Sequence, residues 1–244
     1  MWSSYSRRLL SNTALSRKEQ FVQNLANNGT ILPTSRNARR FPDVPTKSSV
    51  LIPVVEIGTS SVSSSSPFDN LSVVLTKRSS LLRAHRGEIC FPGGKCDKGE
   101  TLEETALRET HEETGMEAGE FELWSRLEPV MSSRFDRSVM PIIAELKDAS
   151  ILDRLIPNYD EVDYVFSVPV KHLISNLSHT LFVHPKFNFR LPVFQVDQFK
   201  IHTHSQSSYI PSSLRIWGLS GIILHQALTH IAPSSYNSIK VQFY

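Results

Sequence analysis

Apolar runs divide the chain into short strands, and two segments carry apolar residues at helical spacing. Strands are predicted at residues 49–57, 71–77, 121–129, 139–146, 179–183 and 189–196, where Val, Ile and Phe are enriched. Helices are predicted at residues 19–27, 102–114 and 215–231. This order favours an α+β fold, an α/β/α sandwich in which helices flank a mixed β-sheet.

Polar segments between these elements predict loops and the limits of the domain. Residues 59–70 are rich in Ser and predict a mobile hairpin loop, and residues 198–211 predict a surface loop. His202 and His204 on the second loop could bind a metal as a pair, but solvated side chains are the commoner case. We predict a targeting-like segment and linker at 1–48, one domain at 49–232, and a loosely ordered tail at 233–244.

Composition narrows the class of protein. A hydrophobic fraction of 40% supports a real core, and a net charge of +2 does not suggest a nucleic-acid partner. The chain has no apolar run of membrane-spanning length. Its two cysteines, Cys90 and Cys96, provide no disulfide framework, are expected to be ordinary loop residues, and favour a reducing compartment.

The first 18 residues are typical of a mitochondrial transit peptide. They contain no acid, and Arg7, Arg8, Arg17 and Lys18 alternate with Ser and Leu. A basic tail without a targeting role is the alternative. We therefore predict a mitochondrial location, with a peroxisomal or cytoplasmic one as alternatives.

The candidate chemistry lies on the helix predicted at 102–114. Thr101 and Glu104 form a capping-box pattern at its start, and Gly115 is a natural stop. Three carboxylates share one face because Glu109, Glu112 and Glu113 stand at i, i+3 and i+4. A hard divalent cation such as Mg²⁺ would remove their mutual repulsion, and Arg108 could orient one of them. A solvated acidic face is the alternative.

Basic residues precede this helix and end at a glycine turn. Arg78, Arg83, His85 and Arg86 lie within nine residues of one another, just before Phe91-Pro92-Gly93-Gly94. Arg offers paired donors to phosphate oxygens, and the two glycines let the backbone approach a ligand closely. This segment therefore predicts a phosphate cradle, although a solvated basic loop is the simpler alternative.

The stretch from Gly94 to Met116 resembles the Nudix box, GX5EX7REUXEEXGU, in which U is a bulky aliphatic residue. The fixed positions are filled by Gly94, Glu100, Arg108, Glu109, Glu112, Glu113, Gly115 and Met116. Thr110 departs from the pattern at the first U, where we expect its methyl group to face the core. The resemblance implies the Nudix fold and a hydrolase that uses Mg²⁺ or Mn²⁺, bound by Glu109, Glu112 and Glu113, to cleave a diphosphate.

A second resemblance is to the coenzyme A diphosphatases of the same family, which carry LLTXR[SA]X3RX3GX3FPGG. The chain matches from Leu75 to Gly94, with Arg78, Arg83 and Gly87 in place, and only Val74 departs. The segments at 156–163 and 215–220 are also similar to this branch, which implies a strand at 164–168 and a short helix at 170–174. Trp217 in the second segment is expected in the core.

These resemblances imply hydrolysis of coenzyme A and its acyl thioesters to 4'-phosphopantetheine, or its acyl form, and adenosine 3',5'-bisphosphate. The catalytic candidates are Glu112, Glu109, Glu113 and Arg108, and the candidates for substrate binding are Lys77, Arg78, Arg83, Gly93 and Gly94. The general base is open between Glu112 and a loop residue, with Glu161 a further possibility. Two alternatives stay open: a Nudix hydrolase of another nucleoside diphosphate derivative, and a Nudix-like binding module without catalysis.

Overall fold

The structure, a computed structural model, describes residues 15–28, 45–58, 66–132, 137–184, 187–206 and 208–236. Its helices are α1 (Arg17–Asn28), α2 (Leu102–Thr114), α3 (Val170–Ser175) and α4 (Gly218–Ile231), with 3-10 turns at Ala118–Glu120 and Ala149–Asp153. Its strands are β1 (Thr46–Glu56), β2 (Leu71–Arg78), β3 (Ile89–Cys90), β4 (Gly93–Lys95), β5 (Phe121–Arg126), β6 (Val130–Met131), β7 (Ser138–Leu146), β8 (Val162–Pro169), β9 (Leu177–His184), β10 (Phe187–Val196), β11 (Lys200–His204) and β12 (Leu214–Ile216).

Within the described residues the strands form a mixed sheet and a smaller antiparallel sheet. The main sheet runs β11-β8-β2-β1-β7-β5, and the short strands β3, β4 and β6 pair with β2, β1 and β7. Strands β1 and β7 are parallel, whereas the other pairs are antiparallel. The smaller sheet has the order β12-β10-β9. The α+β sandwich with a mixed sheet is therefore confirmed.

The two faces of the main sheet are both buried, which explains the continuous apolar runs of its central strands. Leu51 and Val74 pack with Ala106 of α2 on one face. Ile52 and Val73, the next positions in the pleat, pack on the other face with residues of α1 and α4. Burial on both faces removes the polar alternation that marks a half-exposed strand.

Two predictions about elements and one about a single residue are wrong. Residues 198–211 are not simply a surface loop, because β11 pairs with β8 along the edge of the main sheet. Main-chain pairing to a fully buried neighbour holds this strand, although its own side chains are only partly buried. The last helix does not begin at Arg215, because β12 comes first. Trp217 is not in the core but 47% exposed.

The predicted helix at 102–114 is confirmed, and so is the helix near 19–27, which belongs to the packed fold. Phe21 of α1 is fully buried, and its ring contacts Trp124 and His230. Tyr236, in the segment predicted as a tail, is 5% exposed and lies in the same core. Most of the predicted targeting segment, residues 1–14, lies outside the described residues, as do residues 59–65 of the Ser-rich loop. The domain limits stay a prediction.

The helices that the structure describes are all too short or too polar to cross a lipid bilayer.

Candidate active site

The segment predicted as a glycine turn is strand β4, and its backbone lies against the acidic helix. Strand β4 pairs with β1, with Gly93 opposite Val50 and Gly94 opposite Ser49. Gly93 has φ of +150°, and a Cβ there would lie 2.3 Å from the carbonyl oxygen of Ser49. A Cβ on Gly94 would lie 2.3 Å from Oε1 of Glu109. Both glycines are therefore needed for close approach, the first to the sheet and the second to a carboxylate.

Local sequence fixes the position of α2. The hydroxyl of Thr101 accepts from the backbone N–H of Glu104, whose carboxylate accepts from the N–H of Thr101, so the predicted capping box is formed. The helix ends at Gly115, which has φ of +80°. Thr110 is fully buried, and its hydroxyl donates to the carbonyl of Ala106 at 2.6 Å. The departure at this position therefore leaves no unpaired hydroxyl in the core.

Arg108 connects the acids of the turn and the helix. Its Nε donates to Oε1 of Glu100 at 2.7 Å, and its Nη1 donates to Glu112 at 3.1 Å. Its Nη2 donates to Glu109 at 3.2 Å and to the carbonyl of Lys95 at 3.1 Å. The bonds from Arg108 hold the pKa of Glu100 at about 2. Arg108 is thus a positioning residue, since its contacts fix the carboxylates around it.

Glu113 is the most buried acid of the site. It is 2% exposed, and its Oε2 has no hydrogen-bond partner among the described residues. Burial raises its pKa to about 8, and the charges of Glu109 and Glu161 add to this effect. Burial also raises the pKa of Glu109. The nearest cation is Nη1 of Arg78, 3.9 Å from Oε1 of Glu113, which only partly compensates the buried charge.

The site lacks a completed cluster of metal ligands in the part of the chain that the structure describes. Glu109 and Glu113 interact electrostatically, whereas Glu112 is 54% exposed and bonded to Arg108. The residues nevertheless fit a divalent cation. A buried carboxylate oxygen that no described residue pairs with, beside a second carboxylate with a raised pKa, is an arrangement that a hard cation stabilises.

The basic residues predicted to bind substrate differ in their environment. Arg78 lies beside Glu113, and the Cys90 thiol also interacts with its guanidinium. Nζ of Lys77 lies 3.7 Å from Asp163 and 5.2 Å from the centre of the Tyr164 ring. Arg83 is exposed, and no described carboxylate pairs with it. Arg78 therefore lies next to the acid cluster, which consists of Glu109, Glu112 and Glu113. Lys77 is held by contacts with β8, and Arg83 lies on the exposed loop after β2.

Sequence reasoning left Glu161 outside the catalytic set, yet the structure places its charge close to both buried acids. Its carboxylate raises the pKa values of Glu109 and Glu113. Its carbonyl accepts from the N–H of Ser79 at 2.8 Å, which joins this turn to the basic loop. The turn crowded with acids was the available signal, and it made Glu161 a possible general base or metal ligand, but a residue at a loop or strand start was at least as common an interpretation.

Two other polar residues are placed differently from their predictions. Cys90 lies on β3 rather than on a loop, and its Sγ is 3.2 Å from the hydroxyl of Thr76. Burial raises the pKa of its thiol to about 12, with a contribution from Glu113. His202 is not a solvated loop residue, since its Nε2 lies 2.8 Å from the hydroxyl of Ser167. Both histidines lie on β11, and the Nδ1 of His204 lies 3.0 Å from the carbonyl oxygen of Ser205.

Comparison with known proteins gives a consistent set of relatives. Residues 64–186 match the NUDIX domain family model. Nudix hydrolase 3 of Caenorhabditis elegans is 42% identical over 93% of this chain and 90% of its own. The mitochondrial coenzyme A diphosphatase NUDT8 of Mus musculus is 36% identical over 68% of this chain and 73% of its own. The peroxisomal coenzyme A diphosphatase ndx-8 of Caenorhabditis elegans is 32% identical over 64% of this chain and 65% of its own.

Proposed function

Because the chain belongs to the Nudix hydrolase family, in the branch that includes coenzyme A diphosphatases, we propose that it hydrolyses coenzyme A and acyl-coenzyme A. Water attacks one phosphorus of the diphosphate, and the bridging P–O bond breaks. The products are 4'-phosphopantetheine, or its acyl form, and adenosine 3',5'-bisphosphate. Two phosphate monoesters replace one diphosphate, so no further reactant is needed.

The observation that carries this proposal is the proximity of Arg78, at the end of β2, to the acid cluster. Arg78 belongs to the segment that resembles the coenzyme A diphosphatase pattern, and its guanidinium lies beside Glu113. The glycine turn brings the backbone to within contact distance of Glu109. A diphosphate placed at this turn would meet phosphate-binding donors on one side and the carboxylates on the other.

Nudix hydrolases generally use divalent metal ions, and we propose that Glu109, Glu113 and Glu112 hold Mg²⁺ or Mn²⁺ here. Such an ion, when bound, neutralises diphosphate charge and makes a neighbouring water more acidic. Arg108 positions Glu109 and Glu112 through its hydrogen bonds. Lys77, Arg78 and Arg83 bind phosphate oxygens, while Gly93 and Gly94 leave room for the diphosphate.

A carboxylate near the acid cluster must accept the proton of the attacking water. Glu112 is one candidate, because it is exposed and belongs to the same helical face. Glu161 is the other, because its charge reaches both Glu109 and Glu113 while its main chain is fixed by hydrogen bonds. The pH dependence of kcat in Glu112→Gln and Glu161→Gln distinguishes the two candidates. Only substitution of the general base removes the fall in kcat at acid pH that protonation of the base causes.

Product analysis with purified protein, coenzyme A and Mg²⁺ tests the proposal. We expect equal amounts of 4'-phosphopantetheine and adenosine 3',5'-bisphosphate, and no reaction after addition of a chelator. A panel of nucleotide sugars, dinucleoside polyphosphates and oxidised nucleotides serves as the comparison. Faster turnover of one of these would assign a different Nudix substrate, and no turnover of any would favour a binding module.

Substitution of the basic residues tests their proposed roles. Arg78→Gln and Arg83→Gln are expected to raise KM for coenzyme A more than KM for a plain dinucleotide, because coenzyme A carries an additional 3'-phosphate. Arg126→Gln is a suitable control, since Arg126 is bonded to Glu103 on the surface at 2.5 Å. Equal effects on both substrates would assign these residues to the diphosphate alone.

We also propose a mitochondrial location, supported by the acid-free segment 1–18 and by the named mitochondrial relative. A peroxisomal relative of similar identity keeps the peroxisomal alternative open. Imaging of a fluorescent fusion with and without residues 2–14 tests this, because that deletion leaves Ser16 and Arg17 in contact with the fold. Unchanged mitochondrial signal after the deletion would reject the segment as the targeting element.

A further inference from the structure

An exposed tryptophan and an arginine share the outward side of β12. Leu214 and Ile216 are buried, whereas Arg215 is exposed and Trp217 is 47% exposed. The backbone of Trp217 continues the extended conformation, with φ of −151° and ψ of −175°. Two-residue periodicity therefore places Arg215 and Trp217 on the same side. The Arg215 guanidinium carbon lies 5.3 Å from the centre of the Trp217 ring, a cation–π contact.

The position of this pair connects it to the acid cluster. Strand β12 pairs with β10 and also lies close to β3. Strand β3 pairs with β2 at Thr76 and Lys77, just before Arg78, and leads through Pro92 to the glycine turn. The pair therefore lies on the β3 side of the site, opposite the β8 side where Lys77 contacts Asp163.

The Arg215–Trp217 pair is suited to bind a ligand that has a planar ring and a negatively charged group close to it. An exposed indole offers a flat apolar surface on which any nucleobase stacks, and a guanidinium beside it attracts a phosphate. An alkyl chain would gain from the indole but would desolvate the guanidinium without a partner. A purine nucleotide with a phosphate on its ribose satisfies both groups at once.

We infer that Arg215 and Trp217 form the purine subsite of this enzyme: the Trp217 indole stacks on the adenine ring, and Arg215 pairs with the 3'-phosphate. The inference rests on the proposed function, because it assigns the adenosine half of coenzyme A to the β3 side of the site. The pantetheine half then leaves the diphosphate in another direction. Neither residue touches the reacting phosphorus, so their effect is on substrate affinity.

Binding of the separate halves of coenzyme A tests this subsite. Dissociation constants of adenosine 3',5'-bisphosphate, adenosine 5'-monophosphate and 4'-phosphopantetheine are measured by calorimetry for wild type, Trp217→Leu, Trp217→Phe and Arg215→Gln. We expect Trp217→Leu to weaken both adenine ligands by at least about fivefold and to leave 4'-phosphopantetheine unchanged. Trp217→Phe should retain most of the affinity. Arg215→Gln should weaken the bisphosphate more than the monophosphate.

The matched control is Tyr209→Ala, because Tyr209 is an exposed aromatic residue, at 78%, on a different loop. Thermal unfolding and circular dichroism show whether Trp217→Leu is folded. Unchanged affinity for adenosine 3',5'-bisphosphate in a folded Trp217→Leu would overturn the inference, and so would an equal loss for 4'-phosphopantetheine. If Trp217→Leu does not fold, the exposed substitution Arg215→Gln provides the test. An unchanged ratio of its dissociation constants for adenosine 3',5'-bisphosphate and adenosine 5'-monophosphate would then overturn the inference.

The test distinguishes this inference from the proposed function. Cleavage of coenzyme A by wild type, combined with an unchanged KM in Trp217→Leu, would support the function and reject the subsite. No cleavage of coenzyme A, combined with adenine binding that depends on Trp217, would reject the substrate and support the subsite. Cleavage together with a raised KM for coenzyme A in Trp217→Leu would support both.

Discussion

The buried carboxylate of Glu113 is proposed to bind a metal, but its ionisation lowers the stability of the fold. Its carboxylate is buried, one oxygen has no hydrogen-bond partner in the described part of the chain, and burial raises its pKa to about 8 from 4.5. Between these pH values the unfolded chain releases a proton that the folded chain keeps, so folding stability falls as pH rises. A residue that could not ionise would escape this loss.

We predict that Glu113→Gln cuts turnover by at least about 100-fold while raising the melting temperature relative to wild type. The gain, measured with a chelator present, should be small near pH 5 and grow towards pH 8, because Gln does not ionise. Glu112→Gln is the control, since Glu112 is 54% exposed. It should also lose activity but show no such pH-dependent gain. A melting difference that did not change with pH would contradict the buried charge.

A substitution at Gly94 tests whether the close approach of the glycine turn positions the Glu109 carboxylate. Gly94→Ala places a methyl group 2.3 Å from the Glu109 carboxylate, which must then move. We predict a fall in kcat of up to about 100-fold with an unchanged fold, since small displacements of reacting groups are costly. Gly119→Ala, where the space is open, should be neutral. Full activity in Gly94→Ala, measured with coenzyme A, would show that the position of Glu109 is not critical.

At the scale of elements, strand β11, which pairs with β8, carries a histidine that resists protonation. Burial lowers the pKa of His202 to about 4 from 6.5, and its Nε2 lies 2.8 Å from the Ser167 hydroxyl. The charge of Lys200 lowers this pKa further, whereas that of Asp153 raises it. The unfolded chain therefore takes up a proton near pH 6.5 that the folded chain refuses until about pH 4. Stability is lost as pH falls through this window.

We predict that His202→Gln loses less stability than wild type between pH 7 and pH 4.5, because this proton uptake by the unfolded chain is removed. His204→Gln is a matched control on the same strand, since His204 is exposed and contacts only the carbonyl of Ser205 among the described residues. Urea unfolding at a series of pH values measures both. Parallel curves for the two variants would show that His202 is not the titrating group.

Elements with strong local signals could be predicted, and elements held by their neighbours could not. Helix α2 was predicted with approximate ends that the structure matches, because Thr101 and Glu104 form its capping box and Gly115 allows the left-handed conformation at its end. Strand β11 was missed because its pairing with β8, not its own pattern, holds it in place. Strand β12 was missed for the same reason, since three residues carry no periodicity. Tertiary contacts decide such segments.

The candidate site shows the same division. Spacing along one helix placed Glu109, Glu112 and Glu113 on one face before any contact was known. Spacing did not reveal that Glu112 is bonded to Arg108 while Glu113 is buried, because solvent access depends on the rest of the fold. Glu161 lies on a turn that is far from Glu113 in the sequence. Only the folded arrangement of the elements brings the two carboxylates close together.

At the scale of the whole molecule, one arginine joins the N-terminal helix to the main sheet. The guanidinium of Arg17 bonds to Glu56 of β1 and Glu145 of β7, and its Nε donates to the carbonyl of Pro67 at 2.9 Å. Its side chain is 24% exposed, so solvent screens these contacts only in part. Without it, two carboxylates on neighbouring strands would face each other, and α1 would lose its first attachment.

We predict that Arg17→Gln lowers the free energy of unfolding by roughly 1–3 kcal/mol, because partly buried hydrogen bonds to charged groups are lost. The adjacent Lys18→Gln is the matched control. Lys18 pairs with Glu122 at 3.5 Å, and both side chains are at least 40% exposed, so we expect a change within about 0.5 kcal/mol. Equal losses in urea unfolding would mean that charge near the N-terminus, and not the bridge from α1 to the sheet, stabilises the fold. A loss confined to Arg17→Gln would make α1 an integral part of the domain, and cleavage of a targeting segment would then have to occur before this residue.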